Sequence, residues 1–235
     1  MMRAKPTILW DFDGTLVRRS WRSALIRVLD EHQPGHNITE DQVVPFLREG
    51  FPWHQPDRPH HHLSTPEAWW GQMEMMLAGV YRGVGFDDSR ARELARLAHQ
   101  TYINPQEFIL YDDTIPALES LSRLGWQHAI LSNHVPELPE IVRALPLSPF
   151  ISFCITSAAA GYEKPNIKAF RNAISVIGNP ELVWMVGDSA TADVGGAEAA
   201  GLPAIQVRSP RTDGVKYYAP NLLEAAAIIG QNSDF

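Results

Sequence analysis

A short apolar run, residues 8–10, ends in Asp11 and Asp13, which are separated by one residue and followed by Gly14 and Thr15. A continuous apolar segment of this length is typical of a strand inside a parallel sheet. Where the chain stays extended, residues two apart point to the same side, so the two carboxylates face the same way. Such like charges repel, and a hard divalent cation such as magnesium is the usual stabilising partner. A capped turn accounts for these residues equally well, because Asp-Gly is a common turn dipeptide.

The second half of the chain alternates between apolar runs and segments with a helical period. The apolar runs cover residues 129–131, 153–155, 182–186 and 204–207, and the helical segments lie near 115–124, 138–145, 167–177 and just before Gly201. Strands that alternate with helices predict a parallel sheet with right-handed crossovers. The opening strand belongs to the same sheet. We therefore predict an α/β fold with a Rossmann-like, doubly wound parallel sheet core formed by residues 1–16 and 112–235.

Residues 17–111 carry no strong strand pattern and predict an inserted helical segment. Amphipathic spacing and capping signals mark four helices, which begin near Trp21, Thr39, Thr65 and Asp88. The second helix is expected to run to Gly50, and Tyr102 is expected to face the bundle interior at the end of the fourth. Trp21, Trp69 and Trp70 fit the same interior. Four such helices with short links form a bundle, so we predict an inserted α-helical bundle cap over residues 17–111.

Composition excludes several classes of protein. With 235 residues, of which 45% are hydrophobic, the chain can bury a sizeable core. Its net charge of −7 argues against nucleic-acid binding, which favours basic surfaces. No run reaches the length of a membrane span, and no signal-peptide segment precedes the aspartates. The lone Cys154 fits a buried, inert thiol in a reducing compartment, so we expect a cytoplasmic protein that binds neither nucleic acid nor membranes.

Polar side chains follow the apolar runs that are expected to form the sheet. Ser132 and Asn133 follow one run, and Asp188 follows another, with Asp193 five residues later. Lys164 stands at a predicted helix start. Ligands of open α/β sheets bind outside the carboxyl ends of the strands, where these side chains are expected. Each group alone could be a helix cap or a solvated charge, but caps alone do not explain why all of them stand at strand ends and helix starts.

Four segments, taken in order, resemble the motifs of the haloacid dehalogenase-like hydrolase superfamily. They are residues 11–16 (Asp-Phe-Asp-Gly-Thr-Leu), 131–133 (Leu-Ser-Asn), 164–165 (Lys-Pro) and 187–193 (Gly-Asp-Ser-Ala-Thr-Ala-Asp). The helical segment after the first motif resembles the cap of the phosphoglycolate-phosphatase-like branch, and the resemblance covers nearly the whole chain. Asn166 departs from the pattern, since many members carry an acidic residue after Lys-Pro, but that position is not catalytic.

The resemblance implies a magnesium-dependent phosphatase that hydrolyses a small phosphorylated metabolite through an aspartyl-phosphate. Asp11 is expected to attack phosphorus, and Asp13 is expected to protonate the leaving alcohol and then activate water. The expected magnesium ligands are Asp11, the backbone carbonyl of Asp13, Asp188 and, directly or through water, Asp193. The groups expected to bind the phosphate are Gly14, Thr15, Ser132, Asn133 and Lys164, with Lys164 also a catalytic cation.

Other activities of the same superfamily remain open. A 2-haloacid dehalogenase displaces halide with the first aspartate and needs no metal, but it lacks the second acid that Asp13 supplies here. A phosphomutase would need the cap to hold a sugar phosphate through two transfers. A protein that keeps the fold and only binds phosphate is a further alternative, since fold alone does not establish function.

Several residues near these motifs have a plainer structural explanation. The stretch 51–64 is long for a structureless link and typical of a lid or a mobile loop, and adjacent histidines at 60–62 rarely converge on one ion. Arg18, Arg19 and Arg22 could meet a substrate anion, but we expect at least two of them to be solvated. His134 is expected to be exposed at a helix cap.

Overall fold

The computed structural model of the chain describes residues 5–232 and contains a six-stranded parallel sheet. The strands of the described chain are β1 (Thr7–Trp10), β2 (Val17–Arg18), β3 (Ile109–Leu110), β4 (Gln127–Ser132), β5 (Ile151–Thr156), β6 (Val183–Gly187), β7 (Ala204–Val207) and β8 (Tyr217–Ala219). The large sheet has the order β5-β4-β1-β6-β7-β8, with every neighbouring pair parallel. The core predicted from the sequence also includes residues 1–4 and 233–235, which lie outside the described residues.

Helices cover both faces of this sheet. The α-helices of the described chain are α1 (Trp21–His32), α2 (Glu40–Val43), α3 (Pro66–Gly83), α4 (Asp88–Tyr102), α5 (Thr114–Arg123), α6 (Leu138–Arg143), α7 (Ser157–Ala160), α8 (Ile167–Val176), α9 (Gly196–Ala199) and α10 (Leu222–Gln231). Residues of α5, α6 and α10 share one apolar cluster with Ile8 and Trp10, while residues of α8 and α9 share another with Leu9. The α/β fold with a Rossmann-like, doubly wound sheet, predicted from the alternating runs, is therefore confirmed. Sequence analysis did not predict β8, because no apolar run marks it.

The central strand β1 is fully buried because it has neighbours on both edges and helices on both faces. Leu9 lies opposite Ala129 of β4 and Met185 of β6. The ladder continues past the strand, since the N–H of Asp11 donates to the Val186 carbonyl at 2.9 Å. The expectation of a continuous apolar run for a strand buried on both faces is met here.

Helices α1 to α4 all lie between β2 and β3, which pair as a short antiparallel ribbon. Sequence analysis did not predict this ribbon, because its strands are only two residues long each. Two of the tryptophans expected inside the bundle, Trp69 and Trp70, are buried, and Trp21 is partly buried against the same cluster.

The second predicted helix is shorter than expected. After α2 the chain continues as a 3-10 helix over Val44–Leu47, rather than as an α-helix to Gly50. Pro45 stands at the start of that 3-10 helix and has no N–H to donate, which ends the α-helical hydrogen-bond pattern. The capping box of Thr39 and Gln42 forms as predicted.

The stretch 51–64 is ordered by short 3-10 helices, Pro52–His54 and His61–Leu63, and docks on the sheet domain. The backbone N–H of His60 donates to the Gly161 carbonyl at 3.0 Å. The His60 side chain is buried, and its Nε2 lies 3.0 Å from Oε1 of the fully buried Glu163. Within residues 5–232, one group of acidic, histidine or cysteine side chains is close enough together to hold a metal ion. The histidines at 60–62 are not part of that group.

No helix within residues 5–232 has the length and apolar character needed to cross a bilayer. The thiol of Cys154 is partly buried, and burial raises its pKa to about 12, so it stays protonated, as expected of an inert thiol.

One buried histidine of the sheet, His128, has ring nitrogens within hydrogen-bond distance of three neighbours. Its Nδ1 accepts a hydrogen bond from Trp10 Nε1 at 3.0 Å, so Nδ1 carries no proton. Its Nε2 lies 3.1 Å from the Leu118 carbonyl and 3.0 Å from Ser122 Oγ, which leaves Nε2 as the protonated nitrogen. Burial lowers the pKa of His128 to about 4.

This arrangement predicts a loss of stability in mild acid. Between pH 7 and pH 5 the unfolded chain protonates this imidazole while the folded chain does not, so the free energy of unfolding falls as pH falls. We expect His128 to contribute about 2 kcal/mol to that fall. Urea unfolding of the unmodified protein and of His128→Gln at both pH values should show a smaller fall in the variant. His32→Gln, at an exposed histidine, serves as the control and should keep the original pH dependence; equal pH dependence in all three proteins would contradict the prediction.

Candidate active site

Asp11 stands directly after the central strand β1 and is only 7% exposed. Its Oδ1 accepts a hydrogen bond from Ser132 Oγ at 2.9 Å. Ser132 is the last residue of the neighbouring strand β4. The Oδ2 of Asp11 accepts a longer bond, 3.3 Å, from Thr15 Oγ1. Thr15 and Ser132, both expected to bind phosphate, are buried and contact this carboxylate, so they fix its orientation.

The ammonium of Lys164 lies between two carboxylates. Nζ donates to Asp11 Oδ1 at 2.7 Å and to Asp193 Oδ1 at 2.6 Å, and the lysine is 3% exposed. Burial on its own would lower the pKa of this amine, but the carboxylates of Asp11 and Asp193 outweigh burial and raise it. Lys164 is therefore a permanent buried cation.

The side chain of Asn133 holds the backbone of Lys164. Asn133 Nδ2 donates to the Lys164 carbonyl at 2.9 Å, and Asn133 Oδ1 accepts from the Lys164 N–H at 2.8 Å. This paired contact fixes the lysine relative to the end of β4. Sequence analysis predicts Asn133 among the phosphate-binding groups, and its side chain in the structure is occupied with positioning the cation.

Three acidic residues gather beside this lysine. Carboxylate oxygens of Asp11, Asp188 and Asp193 lie within 4.8 Å of one another. Burial, with the charges of Asp11 and Asp193, raises the pKa of Asp188 to about 7. Burial also raises the pKa of Asp193 to about 6, against the lowering effect of Lys164. Three carboxylates facing one ammonium leave excess negative charge, so this set of hard oxygen donors fits a divalent cation such as magnesium.

The segment after β6 brings Asp193 into this group. Residues Ala190–Gly195 form a π-helical turn with Ser189 as its N-cap. The N–H of Ser189 donates to Asp193 Oδ2 at 2.9 Å. A β-carbon on Gly187 would lie 2.2 Å from the Asp193 side chain, so glycine is required for this close approach.

A second glycine, Gly14, makes room for Asp188. Its φ angle is +76°, and a β-carbon there would lie 2.7 Å from Asp188 Oδ2. The N–H of Gly14 donates to the Val17 carbonyl at 2.9 Å, which closes the turn after the two aspartates. Gly14 therefore shapes the backbone next to the acidic group.

Asp13 has different neighbours from Asp11. Its Oδ2 accepts a hydrogen bond from the Tyr102 hydroxyl at 2.9 Å, and His134 Nε2 lies 3.6 Å from the same oxygen. Burial raises the pKa of Asp13 to about 7; the Tyr102 hydrogen bond opposes this shift, and the Asp11 charge adds to it. A carboxyl with such a pKa can both give and take a proton near neutral pH.

The expectation that His134 is an exposed helix cap is wrong. The side chain is buried under the aromatic rings of Phe12, Tyr102 and Phe108, and burial lowers its pKa to about 3, so it is neutral. The backbone carbonyl of His134 accepts from Thr156, which ties this loop to β5.

Of the three arginines after the first motif, Arg18 and Arg22 are exposed, as expected for at least two of them. The Arg19 side chain is 4% exposed. Its guanidinium donates to the Thr101 carbonyl at 3.0 Å and lies over the Tyr102 ring at 5.3 Å. Arg19 therefore packs against the end of α4 beside the site.

The structure thus brings together residues that lie far apart in the sequence. The predicted site residues that meet at the carboxyl ends of β1, β4 and β6 are Asp11, Asp13, Gly14, Thr15, Ser132, Asn133, Lys164, Asp188 and Asp193. Sequence analysis did not predict Tyr102 as part of the site. Its helical spacing indicates a bundle interior residue, and only its position at the very end of α4 lets the hydroxyl reach Asp13.

Comparison with solved structures supports the fold. The HAD-hydrolase YfnB from Bacillus subtilis, solved bound to magnesium, superposes with a TM-score of 0.70 at 19% identity, covering 97% of this chain and 99% of that one. The L-2-haloacid dehalogenase from Xanthobacter autotrophicus superposes with a TM-score of 0.66 at 20% identity, covering 98% and 99%. At these identities the likeness establishes the fold alone.

Comparison with characterised sequences identifies the family. A glyceraldehyde 3-phosphate phosphatase from Methanothermobacter thermautotrophicus is 33% identical over 216 residues, which is 88% of this chain and 87% of the relative. A phosphoserine phosphatase from Thermus thermophilus is 33% identical over 148 residues, which is 62% of this chain and 58% of the relative. Residues 5–201 match the family model described as haloacid dehalogenase-like hydrolase. The chain therefore belongs to the haloacid dehalogenase-like hydrolase family.

Proposed function

We propose that the protein is a magnesium-dependent phosphatase that hydrolyses a small phosphorylated metabolite through an aspartyl-phosphate intermediate. The observation that carries this proposal is the pairing of two carboxyls, one buried and one partly buried, with different surroundings. Asp11 is held by a cation and an acidic cluster, while Asp13 is next to a tyrosine and has a pKa of about 7. Two carboxyls with such different surroundings suit a nucleophile and an acid–base group. Relatives named as phosphatases support the same chemistry.

In this proposal Asp11 attacks the phosphorus of the substrate. Ser132 and Thr15 orient its carboxylate by hydrogen bonds at 2.9 and 3.3 Å. Lys164 offsets the negative charge that a phosphate would add next to the acidic cluster, and Asn133 keeps its backbone in place. Phosphoryl transfer asks a protein mainly for positioning and charge stabilisation, which is what these residues supply.

Asp13 moves the protons. It gives a proton to the leaving oxygen as the bond to phosphorus breaks, and it then takes a proton from the water that hydrolyses the aspartyl-phosphate. The partly buried carboxyl, with its pKa near neutrality, suits both steps.

The three clustered carboxylates are the residues that would hold magnesium, with the Asp13 carbonyl as a further ligand by family resemblance. When bound, the ion offsets charge on the phosphoryl oxygens and on the carboxylates. This makes cation binding and catalysis depend on the same residues, Asp11, Asp188 and Asp193.

We further propose that residues 17–111 act as a cap over a core formed by residues 1–16 and 112–235. Helices α1 to α4 are joined to the core through the β2–β3 ribbon, and the end of α4 reaches the site through Tyr102. A cap in this position excludes water from a small substrate during transfer.

The metal assignment predicts that chelation abolishes activity. We expect a panel of small phosphomonoesters assayed with magnesium to include at least one that releases phosphate, and excess EDTA to stop that release because the carboxylate cluster then lacks its counter-charge. Adding back excess magnesium should restore the rate. Full turnover in EDTA would contradict the metal assignment, and hydrolysis of no ester by the folded protein would favour a phosphate-binding role.

A dehalogenase is the rival with solved structures of the same fold. Chloride release from a 2-haloacid without metal, in the absence of phosphatase activity, would support it. The presence of Asp13 and of the acidic pair Asp188 and Asp193 favours phosphate chemistry, because halide displacement from carbon needs neither a leaving-group acid nor a cation.

The nucleophile assignment predicts that Asp11→Asn is folded but inactive. The amide has nearly the same shape as the carboxylate but is a poor nucleophile, so we expect turnover to fall on the order of 10³-fold or more. Circular dichroism and thermal melting should show a native fold. Asp213→Asn, an identical change at an exposed position, should keep normal turnover. Asp11→Asn with ordinary activity would exclude this residue as the nucleophile.

The lysine-positioning contact predicts that Asn133→Ala loses activity out of proportion to stability. Removing the amide leaves the backbone N–H and carbonyl of Lys164 without these partners, which costs about 1–3 kcal/mol and lets the ammonium shift. We expect a marked fall in kcat, on the order of 10-fold or more.

Asn221→Ala is the matched control. Asn221 caps α10 away from the site, and its Oδ1 accepts from the Glu224 N–H at 2.9 Å, so its loss costs about 1 kcal/mol of stability. Urea unfolding should show comparable losses for the two variants, with normal kcat for Asn221→Ala only. An equal kcat in both would show that the Asn133 contact is structural alone.

A further inference from the structure

Tyr102, the last residue of α4, brings the inserted helices into contact with the candidate site. Its hydroxyl donates to Asp13 Oδ2 at 2.9 Å, across 89 positions of sequence. The tyrosine is 1% exposed. Burial, followed by the neighbouring Asp13 charge, raises the pKa of Tyr102 well above its usual value of 10, so the hydroxyl keeps its proton and acts as a donor.

The ring of Tyr102 is held firmly. Trp21 stacks on it with a centroid distance of 3.7 Å and an interplanar angle of 5°, and the Arg19 guanidinium lies 5.3 Å from its centre. Arg19 also donates to the carbonyl of Thr101, the preceding residue, at 3.0 Å. These contacts fix the direction of the hydroxyl more tightly than a single hydrogen bond could.

The two oxygens of Asp13 are unequal as a result. Oδ2 has the Tyr102 hydroxyl at 2.9 Å and His134 Nε2 at 3.6 Å. Oδ1 is buried and has no hydrogen-bond partner among the described residues. A neutral carboxyl has one carbonyl oxygen and one hydroxyl oxygen. Because Oδ2 accepts from a tyrosine that keeps its proton, the carbonyl character belongs to Oδ2 and the acidic proton to Oδ1.

We propose that Tyr102 is a positioning residue that keeps the acidic proton of Asp13 on Oδ1, so that this oxygen serves the leaving group. The inference rests on the proposed phosphatase function and deepens it. Tyr102 itself touches neither phosphorus nor the leaving oxygen; it acts through Asp13. Since it belongs to α4, the inserted helices contribute to proton transfer as well as to enclosure.

The step balances as follows. As a carboxylate oxygen of Asp11 forms its bond to phosphorus, the bond from phosphorus to the leaving oxygen breaks, and its electron pair stays on that oxygen. The proton moves from Asp13 Oδ1 to the leaving oxygen, which departs as an alcohol. Water then adds to phosphorus and gives its proton to Oδ1, and the bond between phosphorus and Asp11 breaks. Tyr102 keeps its own proton throughout.

This inference predicts that the effect of Tyr102→Phe depends on the leaving group. Phenylalanine keeps the ring stack on Trp21 but donates nothing to Oδ2. An alkyl phosphate needs its leaving oxygen protonated, so kcat/KM should fall about 10-fold or more. 4-Nitrophenyl phosphate has a leaving group that departs as an anion, so kcat/KM should fall less than about 3-fold. The ratio of the two kcat/KM values, measured on one preparation, does not depend on the fraction of protein that is folded.

Tyr81→Phe is the matched control. Tyr81 is a buried tyrosine of α3 whose hydroxyl donates to the Leu25 carbonyl at 3.2 Å within the helical bundle. Its loss should change stability without changing the ratio between the two esters. Equal losses on both esters in Tyr102→Phe, or the same ratio in both variants, would overturn the inference while leaving the phosphatase proposal intact. Failure of the unmodified protein, with magnesium, to hydrolyse either ester would overturn the phosphatase proposal and the inference with it.

Discussion

A single buried ammonium, that of Lys164, makes it possible to gather so many carboxylates at one edge of the sheet. It lies within 2.7 Å of Asp11 and within 2.6 Å of Asp193, and it is itself almost fully enclosed. Burying these acids without a cation would shift their pKa values upward until they became neutral. Lys164 offsets only part of the charge, and burial, together with the neighbouring carboxylates, still raises the pKa values of Asp188 and Asp193. The same excess that strains the protein electrostatically makes the site attractive to a divalent cation.

The strand order of the sheet brings the side chains of the acidic cluster close to one another. Asp11, Ser132 and Asp188 lie at the ends of three adjacent strands, β1, β4 and β6, whose carboxyl ends lie side by side because the strands are parallel. A shift of β1 by one residue would turn Asp11 to the other face and separate it from the Ser132 hydroxyl. The register of β1 with β4 and β6 therefore determines whether Asp11 can accept from the Ser132 hydroxyl.

Sequence patterns predicted the parts of the protein that are determined by the local sequence. The alternation of apolar runs and helices predicted the parallel sheet, and the polar residues at the strand ends, together with the family resemblance, predicted which side chains meet there. Contacts that depend on where a helix ends in space left no such signal. The period of α4 predicted Tyr102 as a bundle residue, and nothing in its neighbours indicated a partner 89 positions away. His134 was expected to be exposed because it was interpreted as part of a helix cap, whereas the aromatic residues that cover it, Phe12, Tyr102 and Phe108, are distant from it in the sequence.

Among the contacts of the inserted segment with the rest of the chain, two lie next to residues of the candidate site. At one, Tyr102 donates to Asp13; at the other, His60 lies against Glu163, the residue before Lys164. Any movement of the insertion relative to the sheet would therefore displace groups that contact Asp13 and the residue before Lys164. Under the inference drawn above, the position of the insertion is part of the chemistry, because Tyr102, which sets the direction of the Asp13 proton, belongs to α4.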